Sequence, residues 1–431
     1  MFNKLNKLIK NKKISIGVIG LGYVGLPLAI LFAKKGFKVF GFDIDIDKIK
    51  IINSQKSYIE RIAATDINLL LKKGVVTSNF ENIINCDVIV ICVPTPLKNK
   101  NIPDISFVKE TFVSIKKYLR KNQILILEST SYPGTTREEF ANRLDKKFSL
   151  GKNFFIGFSS ERINPGFNEN SIAKIPKVVS GYSSNCLKLV AKFYKLFFEK
   201  VVCAHSLEIA EFSKLLENIY RAVNIGFINE MKFVADKMNL DIYEIIKVAK
   251  TKPYGFRPFH PGPGVGGHCI PIDPHYLYWK AKKKNIRADF IQLSATTNLK
   301  VIDFIKSKIL KIIKNNTKKS NLKILILGLA YKPNIDDLRE SGSINLIHKL
   351  LKSNIKNIYW SDPHIKKKLV INELKYCKKG LVINHKNLKK FDVIVLMTDH
   401  DKFDYKMIYR SSKLIIDCRG RYPVDQKVIR A

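Results

Sequence analysis

The chain has 431 residues, 46% of them hydrophobic, so it is long enough for two or three domains with separate cores. Its formal net charge of +39 is of a size found in proteins that bind nucleic acid or anionic membranes. Only 13 of the 76 basic residues are arginine, and the lysines are spread along the chain instead of forming one stripe with interleaved aromatics. This even distribution of lysines argues against a nucleic-acid-binding protein, although a positive field would still attract an anionic substrate.

The seven cysteines are odd in number and form no CxxC pair, which argues against a disulfide framework or a structural zinc site. The basic N-terminal stretch lacks the apolar region of a signal peptide, and no window approaches the roughly 18 apolar residues of a membrane span. We therefore expect a soluble cytoplasmic protein without a bound metal.

A strand, a glycine turn, an apolar helix and a second strand are predicted over residues 13–45. Gly20, Gly22 and Gly25 match G-x-G-x-x-G at the turn, where glycines let the backbone approach a pyrophosphate at a helix N-terminus. Asp43 closes the second strand, where a carboxylate can accept the ribose hydroxyls and repel a 2′-phosphate. A dinucleotide site that prefers NAD is the prediction, against a glycine turn kept only for packing. Its further expected contacts are Tyr23, Val24 and Lys48, of which Lys48 could weaken the preference for NAD.

Two more buried strands are predicted at residues 87–93 and 124–128, each followed by a loop with Pro, Ser or Thr. Thr95 follows the first of these strands, and Glu128 and Thr130 end the second, at the carboxyl edge where open α/β sheets bind ligands. These positions are also compatible with simple strand-terminating turns.

The pattern from 206 to 238 indicates one long helix, and strand patterns return only in the 320s. Residues 311–321 are polar and lysine-rich and are interpreted as a linker or loop. Four apolar runs after it alternate with helical segments and predict a second α/β domain. They begin at residues 322, 355, 391 and 413. The predicted fold class is therefore α/β, with two doubly wound parallel-sheet domains of Rossmann type and a long helix between them.

Lys214 and Asn218 are four residues apart on the long helix and so share one face, near Glu211. Such a polar face is either a solvated surface or part of a site. The loop 262–274 surrounds Cys269 with glycines and prolines, and is either a tight surface turn or a stiff pocket wall that presents a thiol. Together with an NAD site, the second alternative predicts oxidation through a covalent thiohemiacetal. Asp273 is a better hydrogen-bonding candidate near the reacting carbon than His268, whose side chain need not face its neighbour's.

Seven motifs occur in the order in which the UDP-glucose/GDP-mannose dehydrogenases have them, and the chain resembles this family over nearly its whole length. They are GLGYVGLP, PTP, EST, SERINPG, the K-x-x-x-N helix, GGHCIPIDP and GLAYKPNIDDLRES. The resemblance implies two NAD-dependent oxidations of the C6 hydroxyl of a nucleotide sugar to a uronate. It also implies a dimer formed by the long helix. The domains expected from it are an NAD-binding domain at 1–205, a central helical domain with the cysteine loop at 206–310 and a UDP-sugar-binding domain at 320–431.

The resemblance also assigns roles to individual residues. It makes Cys269 the nucleophile, gives proton handling and oxyanion stabilisation to Asp273, Lys214 and Asn218, and makes Glu161, with Thr130, the group that activates water for thioester hydrolysis. Thr130 and Arg339 would also contact the cofactor. The substrate contacts expected are Glu161, Arg162, Lys214, Asn218, Arg257, Gly266, Lys332 and Arg419.

Two positions depart from the family pattern. Ser160 stands where a proline usually precedes the glutamate, and Pro165 replaces the second glutamate of the UDP-glucose branch. The second departure argues against UDP-glucose, and the TKPYGFRPFHPGPG segment before the cysteine resembles the bacterial enzymes acting on UDP-N-acetylglucosamine. That sugar is the predicted substrate, for surface polysaccharide synthesis; UDP-N-acetylmannosamine, UDP-N-acetylgalactosamine and UDP-glucose are alternatives. A non-catalytic dinucleotide-binding protein is a further alternative, disfavoured by the presence of Cys269, Lys214 and Glu161.

Overall fold

The computed structural model describes residues 1–59, 62–162, 169–315, 322–365, 374, 377 and 380–431. These residues form two compact units. The first comprises Met1–Glu217 and His275–Asn285, and the second comprises Asn218–Pro274 and Ile286–Ala431. Pro165 and the segment 316–321, both singled out in the sequence, lie outside the described residues.

The first unit is built on a sheet of short apolar runs, many of them buried along their whole length, as expected for strands covered by helices on both faces. Its strands are β1 (Ser15–Ile19), β2 (Lys38–Phe42), β3 (Gly74–Thr77), β4 (Val88–Ile91), the hairpin pair β5 (Leu97–Lys98) and β6 (Ile102–Pro103), β7 (Ile124–Leu127), β8 (Phe155–Ser159), β9 (Lys177–Gly181) and β10 (Val201–Cys203). Its helices are α1 (Phe2–Lys10), α2 (Gly25–Lys34), α3 (Ile46–Asn53), α4 (Ala64–Lys73), α5 (Ser106–Lys116), α6 (Thr135–Glu139) and α7 (Ser184–Tyr194).

Among the described residues, eight of these strands form one sheet in the order β10-β9-β8-β7-β4-β1-β2-β3. All pairs are parallel except β8 with β9, which run antiparallel. The predicted parallel sheet is thus confirmed with one reversal. Because of that reversal, the start of β9 lies at the edge of the sheet where β7 and β8 end.

Helix α8 (Leu207–Lys237) confirms the predicted long helix and contributes residues to both units. Helix α10 (Asp273–Lys282) also contributes to both. Of the described residues between α8 and β11, none lies in a strand, as the sequence pattern predicted.

The second unit carries the second predicted α/β sheet. Its elements are α9 (Ile242–Ala249), α11 (Asp289–Asn315), β11 (Ile324–Leu327), α12 (Gly342–Lys352), β12 (Ile358–Ser361), α13 (His385–Leu388), β13 (Val393–Leu396), α14 (Tyr405–Ser411), β14 (Ile415–Asp417) and β15 (Val428–Arg430). The strand order is β12-β11-β13-β14-β15, and every pair is parallel.

One local prediction needs correction, and one element had no prediction. Residues 311–315, interpreted as part of a linker, are the last turn of α11, because Ile312 and Ile313 pack against the core of the second unit. The basic N-terminal stretch forms the amphipathic helix α1, which buries Leu5 and Ile9 in the core of the first unit. Within the described residues, no helix has the length and apolarity needed to cross a membrane.

Candidate active site

The glycine turn after β1 has the geometry that a dinucleotide requires. Gly20 has a φ of +87°, and a Cβ there would lie 2.8 Å from the carbonyl oxygen of Cys92. At Gly25 a Cβ would lie 1.9 Å from the carbonyl oxygen of Gly20, so only glycine lets α2 begin so close to the turn. A Cβ at Gly22 would instead meet no atom within 4 Å. The turn therefore has open space beside its second glycine, where the fingerprint places the pyrophosphate.

Asp43 follows β2 and is anchored beside this turn. Its Oδ2 accepts a hydrogen bond from the Leu21 N–H at 2.9 Å, and its Oδ1 accepts one from the Asp45 N–H at 3.0 Å. The ammonium of Lys48 lies 3.9 Å from Asp43 Oδ2 and 3.5 Å from Asp45 Oδ2. The carboxylate is thus fixed beside the glycine turn, and Lys48 contacts two carboxylates. Tyr23 and Val24, the other predicted cofactor contacts, lie between Gly22 and the start of α2.

Thr95 and Thr130 lie at the ends of the neighbouring strands β4 and β7, as predicted. Thr95 is buried and Thr130 is half-buried. The two strand ends are tied together by the Ser129 hydroxyl, which donates to the Val93 carbonyl oxygen at 2.7 Å.

Glu161 lies just beyond the end of β8 and takes part in a buried charge cluster. Lys177, the first residue of β9, places its ammonium 3.3 Å from Glu161 Oε2 and 2.9 Å from Glu128 Oε2. The Tyr194 hydroxyl donates to the other oxygen of Glu128. Burial raises the pKa of Glu128, against the opposing charge of Lys177, while both carboxylates raise the pKa of Lys177 against its own burial.

Arg162 was predicted to contact the substrate. Its guanidinium makes an ion pair with Glu217 on α8 and donates to the Pro176 carbonyl oxygen at 3.0 Å. The ion pair therefore ties Arg162, the residue after Glu161, to α8.

Lys214 and Asn218 lie one turn apart on α8, and both are buried, so their shared face is not a solvated surface. Asn218 Nδ2 donates to Asp273 Oδ2, which brings two of the predicted catalytic residues together in the second unit. One turn before Lys214, the buried carboxylate of Glu211 accepts from the N–H groups of Gly134 and Thr136, at 2.5 and 2.8 Å. Glu211 thereby anchors the loop that follows Thr130.

Cys269 is exposed at the end of its glycine loop, directly before α10. Its carbonyl oxygen accepts from the N–H of Asp273 at 2.8 Å, so the thiol is carried on the entry turn of a helix. Gly266 and Gly267 pack against Tyr331: added Cβ atoms would lie 2.4 and 2.8 Å from its side chain. The pocket-wall interpretation of the loop therefore agrees with its packing, because larger residues would displace Tyr331.

The remaining predicted substrate and cofactor residues lie in the second unit. Lys332 is half-buried, and burial together with the charge of Arg221 lowers its pKa. The exposed Arg339 pairs with Asp337 at 2.6 Å, and its carbonyl oxygen accepts from Gly267 N–H at 2.9 Å. Arg419 donates to the Met397 carbonyl oxygen at 2.7 Å. Arg257 is exposed in the loop after α9.

His268 is partly buried, and burial followed by the charge of Arg339 lowers its pKa. In the part of the chain that the structure describes, no group of three or more His, Cys, Asp or Glu residues could hold a metal ion.

Lys177, Glu211 and Tyr194 were missed by the sequence analysis. Glu211 was noted only as a neighbour of Lys214, and a lone lysine before a short strand gives no pattern. The one available signal was the charge of Lys177 directly before two apolar residues, Val178 and Val179.

These features define a dinucleotide-binding oxidoreductase with a cysteine carried on a separate loop. Over residues 14–198 the chain matches the NAD binding domain of the UDP-glucose/GDP-mannose dehydrogenase family. Over 208–300 it matches the central domain of that family, and over 325–423 its UDP binding domain.

Individual relatives match over almost their full length. Protein CapL of Staphylococcus aureus is 35% identical, over 94% of this chain and 96% of the relative. The UDP-N-acetyl-D-glucosamine 6-dehydrogenase of Pseudomonas aeruginosa is 33% identical, over 91% and 92%. The solved structure of a UDP-D-ManNAc dehydrogenase from Pyrococcus horikoshii has a TM-score of 0.84 and 30% identity, over 97% of this chain and 99% of that one. The chain belongs to the UDP-glucose/GDP-mannose dehydrogenase family.

Proposed function

We propose that the protein oxidises the C6 hydroxyl of UDP-N-acetylglucosamine to the carboxylate, with two NAD⁺ and one water consumed per sugar. The observation that carries this proposal is the setting of Cys269. Its exposed thiol stands at the entry of α10, one turn before an aspartate whose carboxylate is paired with Asn218. A thiol so placed can act as a nucleophile towards an aldehyde.

The cofactor fits the first unit, because Gly22 has open space beside it and Asp43 is anchored next to the turn. When bound, NAD⁺ supplies the acceptor for the hydride that leaves C6 in each oxidation. Asp43 would hold the adenosine ribose, and Gly20, Gly22 and Gly25 would let the backbone approach the pyrophosphate.

The chain's own residues divide the remaining chemistry. Lys214, Asn218 and Asp273 would bind the C6 oxygen, and remove its proton as the alcohol becomes an aldehyde. The Cys269 thiolate then adds to the aldehyde carbon to give a thiohemiacetal, whose oxidation leaves a thioester on the same sulfur.

Water completes the reaction with Glu161 as general base. The water oxygen adds to the acyl carbon, its proton passes to Glu161, the carbon–sulfur bond breaks, and the sulfur leaves as thiolate. Thr130 would position this water or the adjacent part of the cofactor. Arg162, Arg257, Gly266, Lys332 and Arg419 would bind the UDP-sugar, and Arg339 the cofactor.

The choice of sugar rests on the TKPYGFRPFHPGPG segment before Cys269, because the relatives include both substrate classes. Relatives include a UDP-N-acetyl-D-glucosamine 6-dehydrogenase and a UDP-N-acetyl-D-mannosamine dehydrogenase, at 33% and 32% identity. A pocket that pairs a 2-acetamido group leaves polar groups unpaired with UDP-glucose, so discrimination against that sugar is expected to be large. The epimer differs only in the direction of the acetamido group.

Values of kcat/KM for the four candidate UDP-sugars test the assignment. The proposal predicts the highest value for UDP-N-acetylglucosamine. A higher value for UDP-N-acetylmannosamine or UDP-glucose would refute the substrate and leave the dehydrogenase chemistry standing.

Two variants test the covalent route. Cys269→Ala is expected to bind NAD⁺ and form no uronate, since the sulfur is required for the second oxidation. Glu161→Gln is expected to accumulate a Cys269 thioester, visible as an adduct by intact-protein mass spectrometry. Uronate formation by Cys269→Ala would contradict the covalent mechanism.

We also propose that α8 pairs with a second copy of this chain. One stripe of α8 exposes six apolar side chains, each at least 42% accessible, and a continuous apolar stripe of this kind is typical of an interface. They are Ile209, Phe212, Leu216, Tyr220, Phe227 and Val234. Light scattering should give a dimer mass, and Leu216→Glu should shift it towards the monomer. A monomeric wild-type protein would contradict this.

We place the enzyme in the cytoplasm, because Cys269 must remain reduced to act as a nucleophile. Its product would serve as a precursor for surface polysaccharide.

A further inference from the structure

Lys177 is a buried charge to which the reaction proposed above gives no role. Its side chain is 2% exposed, and its ammonium lies between two carboxylates, at 2.9 Å from Glu128 and 3.3 Å from Glu161. Glu128 is fully buried, whereas Glu161 is 12% exposed. The cluster therefore has an inner carboxylate that solvent does not reach and an outer one at the edge of the sheet.

Strand register explains why these groups meet. In the antiparallel pair β8–β9, Phe158 lies across from Ser180 and Ser159 across from Val179. Continuing this register by two residues sets Glu161 across from Lys177. Glu128 follows β7, which is the parallel neighbour of β8, so its carboxylate reaches the same edge. The meeting of the three groups is thus fixed by backbone pairing and not by flexible side chains alone.

Two aromatic side chains also hold Lys177 in place. Tyr194 donates its hydroxyl to Glu128, and the rings of Tyr194 and Phe198 lie 5.3 and 5.2 Å from the Lys177 ammonium. The ammonium cannot leave this site without stranding a buried carboxylate, which is costly.

Both oxygens of Glu161 are oriented by donors. Oε2 faces the Lys177 ammonium, and Oε1 accepts from the Arg162 N–H at 2.6 Å. A carboxylate oxygen can accept more than one hydrogen bond, so these donors fix the direction of the group without excluding a contact with water.

We propose that Lys177 is a positioning residue for thioester hydrolysis: held by Glu128, it fixes the orientation of the Glu161 carboxylate, so that this group accepts the proton of the attacking water. This inference rests on the proposed function, in which Glu161 is the general base. It assigns Lys177 to the hydrolytic step, since Lys177 forms ion pairs with Glu161, the proposed general base, and with Glu128, which holds it.

The test compares the two halves of the reaction in Lys177→Met, with NAD⁺ and UDP-N-acetylglucosamine as reactants. NADH formation in the first turnover is expected to keep its wild-type rate, and both KM values should change little. Steady-state turnover should fall roughly tenfold to a hundredfold, less than removal of a general base would cause. The Cys269 thioester should accumulate, as seen by intact-protein mass spectrometry. Lys177→Arg keeps the charge and should recover much of the turnover.

Lys177→Met leaves the buried carboxylate of Glu128 without its cation, which could prevent folding. The double variant Lys177→Met/Glu128→Gln removes that unpaired charge and replaces the single variant in the test if the single variant does not fold. It should show the same accumulation of thioester. Lys192→Met, which removes an exposed lysine from α7 of the same unit, is the matched control and should behave as wild type.

Turnover within twofold of wild type in the folded single or double variant would overturn the inference. So would an equal loss of first-turnover NADH and of turnover, since that would place Lys177 in oxidation or in folding. Failure of the proposed function is recognised separately: Glu161→Gln would then give no thioester, or the wild-type protein no NADH with any of the four UDP-sugars, and either result overturns both statements.

Discussion

Each of the two α/β units has a glycine with positive φ at the end of a central strand. Gly20 follows β1 with a φ of +87°, and Gly328 follows β11 with a φ of +83°. Both donate their N–H at 2.8 Å to the last residue of the adjacent strand, Phe42 in the first unit and Ser361 in the second. In both sheets, a central strand is therefore followed by the same type of glycine turn.

An aspartate follows the adjacent strand in both units, but its partners differ. Asp43 accepts from one N–H of the glycine turn, at 2.9 Å. Asp362 accepts from two, Leu329 at 2.7 Å and Ala330 at 2.9 Å, and from the imidazole of His400 at 3.0 Å. The second aspartate is thus saturated by protein groups.

The space beside the turn differs in the same sense. A Cβ at Gly22 would meet nothing within 4 Å, whereas Ala330 at the corresponding place is fully buried and its carbonyl oxygen accepts from the Thr398 hydroxyl at 2.6 Å. The strand–glycine–strand frame alone therefore does not make a dinucleotide site. The site also needs the space beside the second glycine to stay open.

The largest effect is expected from the glycines of the first unit. Gly25→Ala would force a Cβ to within 1.9 Å of the Gly20 carbonyl oxygen, and should destabilise the unit by about 3 kcal/mol and abolish NAD⁺ binding. Gly22→Ala has room for its Cβ, so thermal stability should change by less than about 0.5 kcal/mol while NAD⁺ affinity falls. Unfolding curves and NAD⁺ titration measure both. Wild-type affinity in Gly22→Ala would show that the open space is not the cofactor site.

Asp362→Asn tests the second unit. Both carboxylate oxygens of Asp362 accept hydrogen bonds, so the side-chain NH₂ of an asparagine would face donors that then have no acceptor. Breaking the buried pair with His400 should cost about 3 kcal/mol. NAD⁺ affinity should not change. A drop in affinity as large as that of Gly22→Ala would contradict the separation of roles between the units.

The same variant has a defined pH dependence. Burial opposes ionisation of Asp362, but the hydrogen bond and charge of His400, with the backbone donors, hold its pKa below the usual value. A depressed folded pKa contributes stability above the unfolded pKa of about 3.8, and that contribution is lost as pH falls through the folded pKa. The stability difference between wild type and Asp362→Asn should therefore shrink below about pH 4.

Asp43→Asn tests cofactor choice. Wild type should prefer NAD⁺ over NADP⁺, and the variant should lower that preference roughly tenfold to a hundredfold by removing a charge that repels the 2′-phosphate. The ratio of kcat/KM values is the measurement. An equal or higher value for NADP⁺ in wild type would mean that Asp43 does not face the ribose, and that Lys48 receives the phosphate.

The smallest effect concerns a second buried lysine. Lys232 is 3% exposed, and among the described residues its ammonium has no hydrogen-bond partner, in contrast to Lys177. Burial lowers the pKa of Lys232 to about 8. Since the folded pKa lies below the unfolded one, the charge costs stability below pH 8, and the cost declines as pH rises from 8 to 10.5. Lys232→Met should therefore raise stability at pH 7 by about 1–3 kcal/mol, and by less at pH 10. Destabilisation at pH 7 would show that Lys232 has a favourable partner.

The elements predicted correctly are those with a strong local pattern. The turn at Gly20, the helix α8 and the four strands β11 to β14 each have a continuous apolar run or a fixed glycine spacing. Strands β8, β9 and β10 were not predicted. β8 and β9 are as long as β1 and β2, but β9 pairs antiparallel with β8, and β10 has only three residues. The direction in which a strand pairs leaves no local pattern in a single sequence, and a three-residue run is too short to show a period.

The candidate site divides in the same way. Cys269 and Asp273 could be singled out because their loop has an unusual composition, and Lys214 and Asn218 because they share a helix face. Lys177 and Glu211 could not, because their significance depends on partners distant in sequence: Lys177 on Glu128, and Glu211 on the N–H groups of Gly134 and Thr136. Such contacts are set by strand register and by helix packing, which a single sequence does not specify.

The central claim is a four-electron oxidation through Cys269, and the most direct test is the number of NADH molecules formed per sugar consumed. Purified protein with excess NAD⁺ and limiting UDP-N-acetylglucosamine is followed at 340 nm to completion, while the sugar is quantified by chromatography. A four-electron oxidation predicts two NADH per sugar and a uronate as the product. One NADH per sugar with release of the aldehyde would contradict it, as would no NADH from any of the four UDP-sugars.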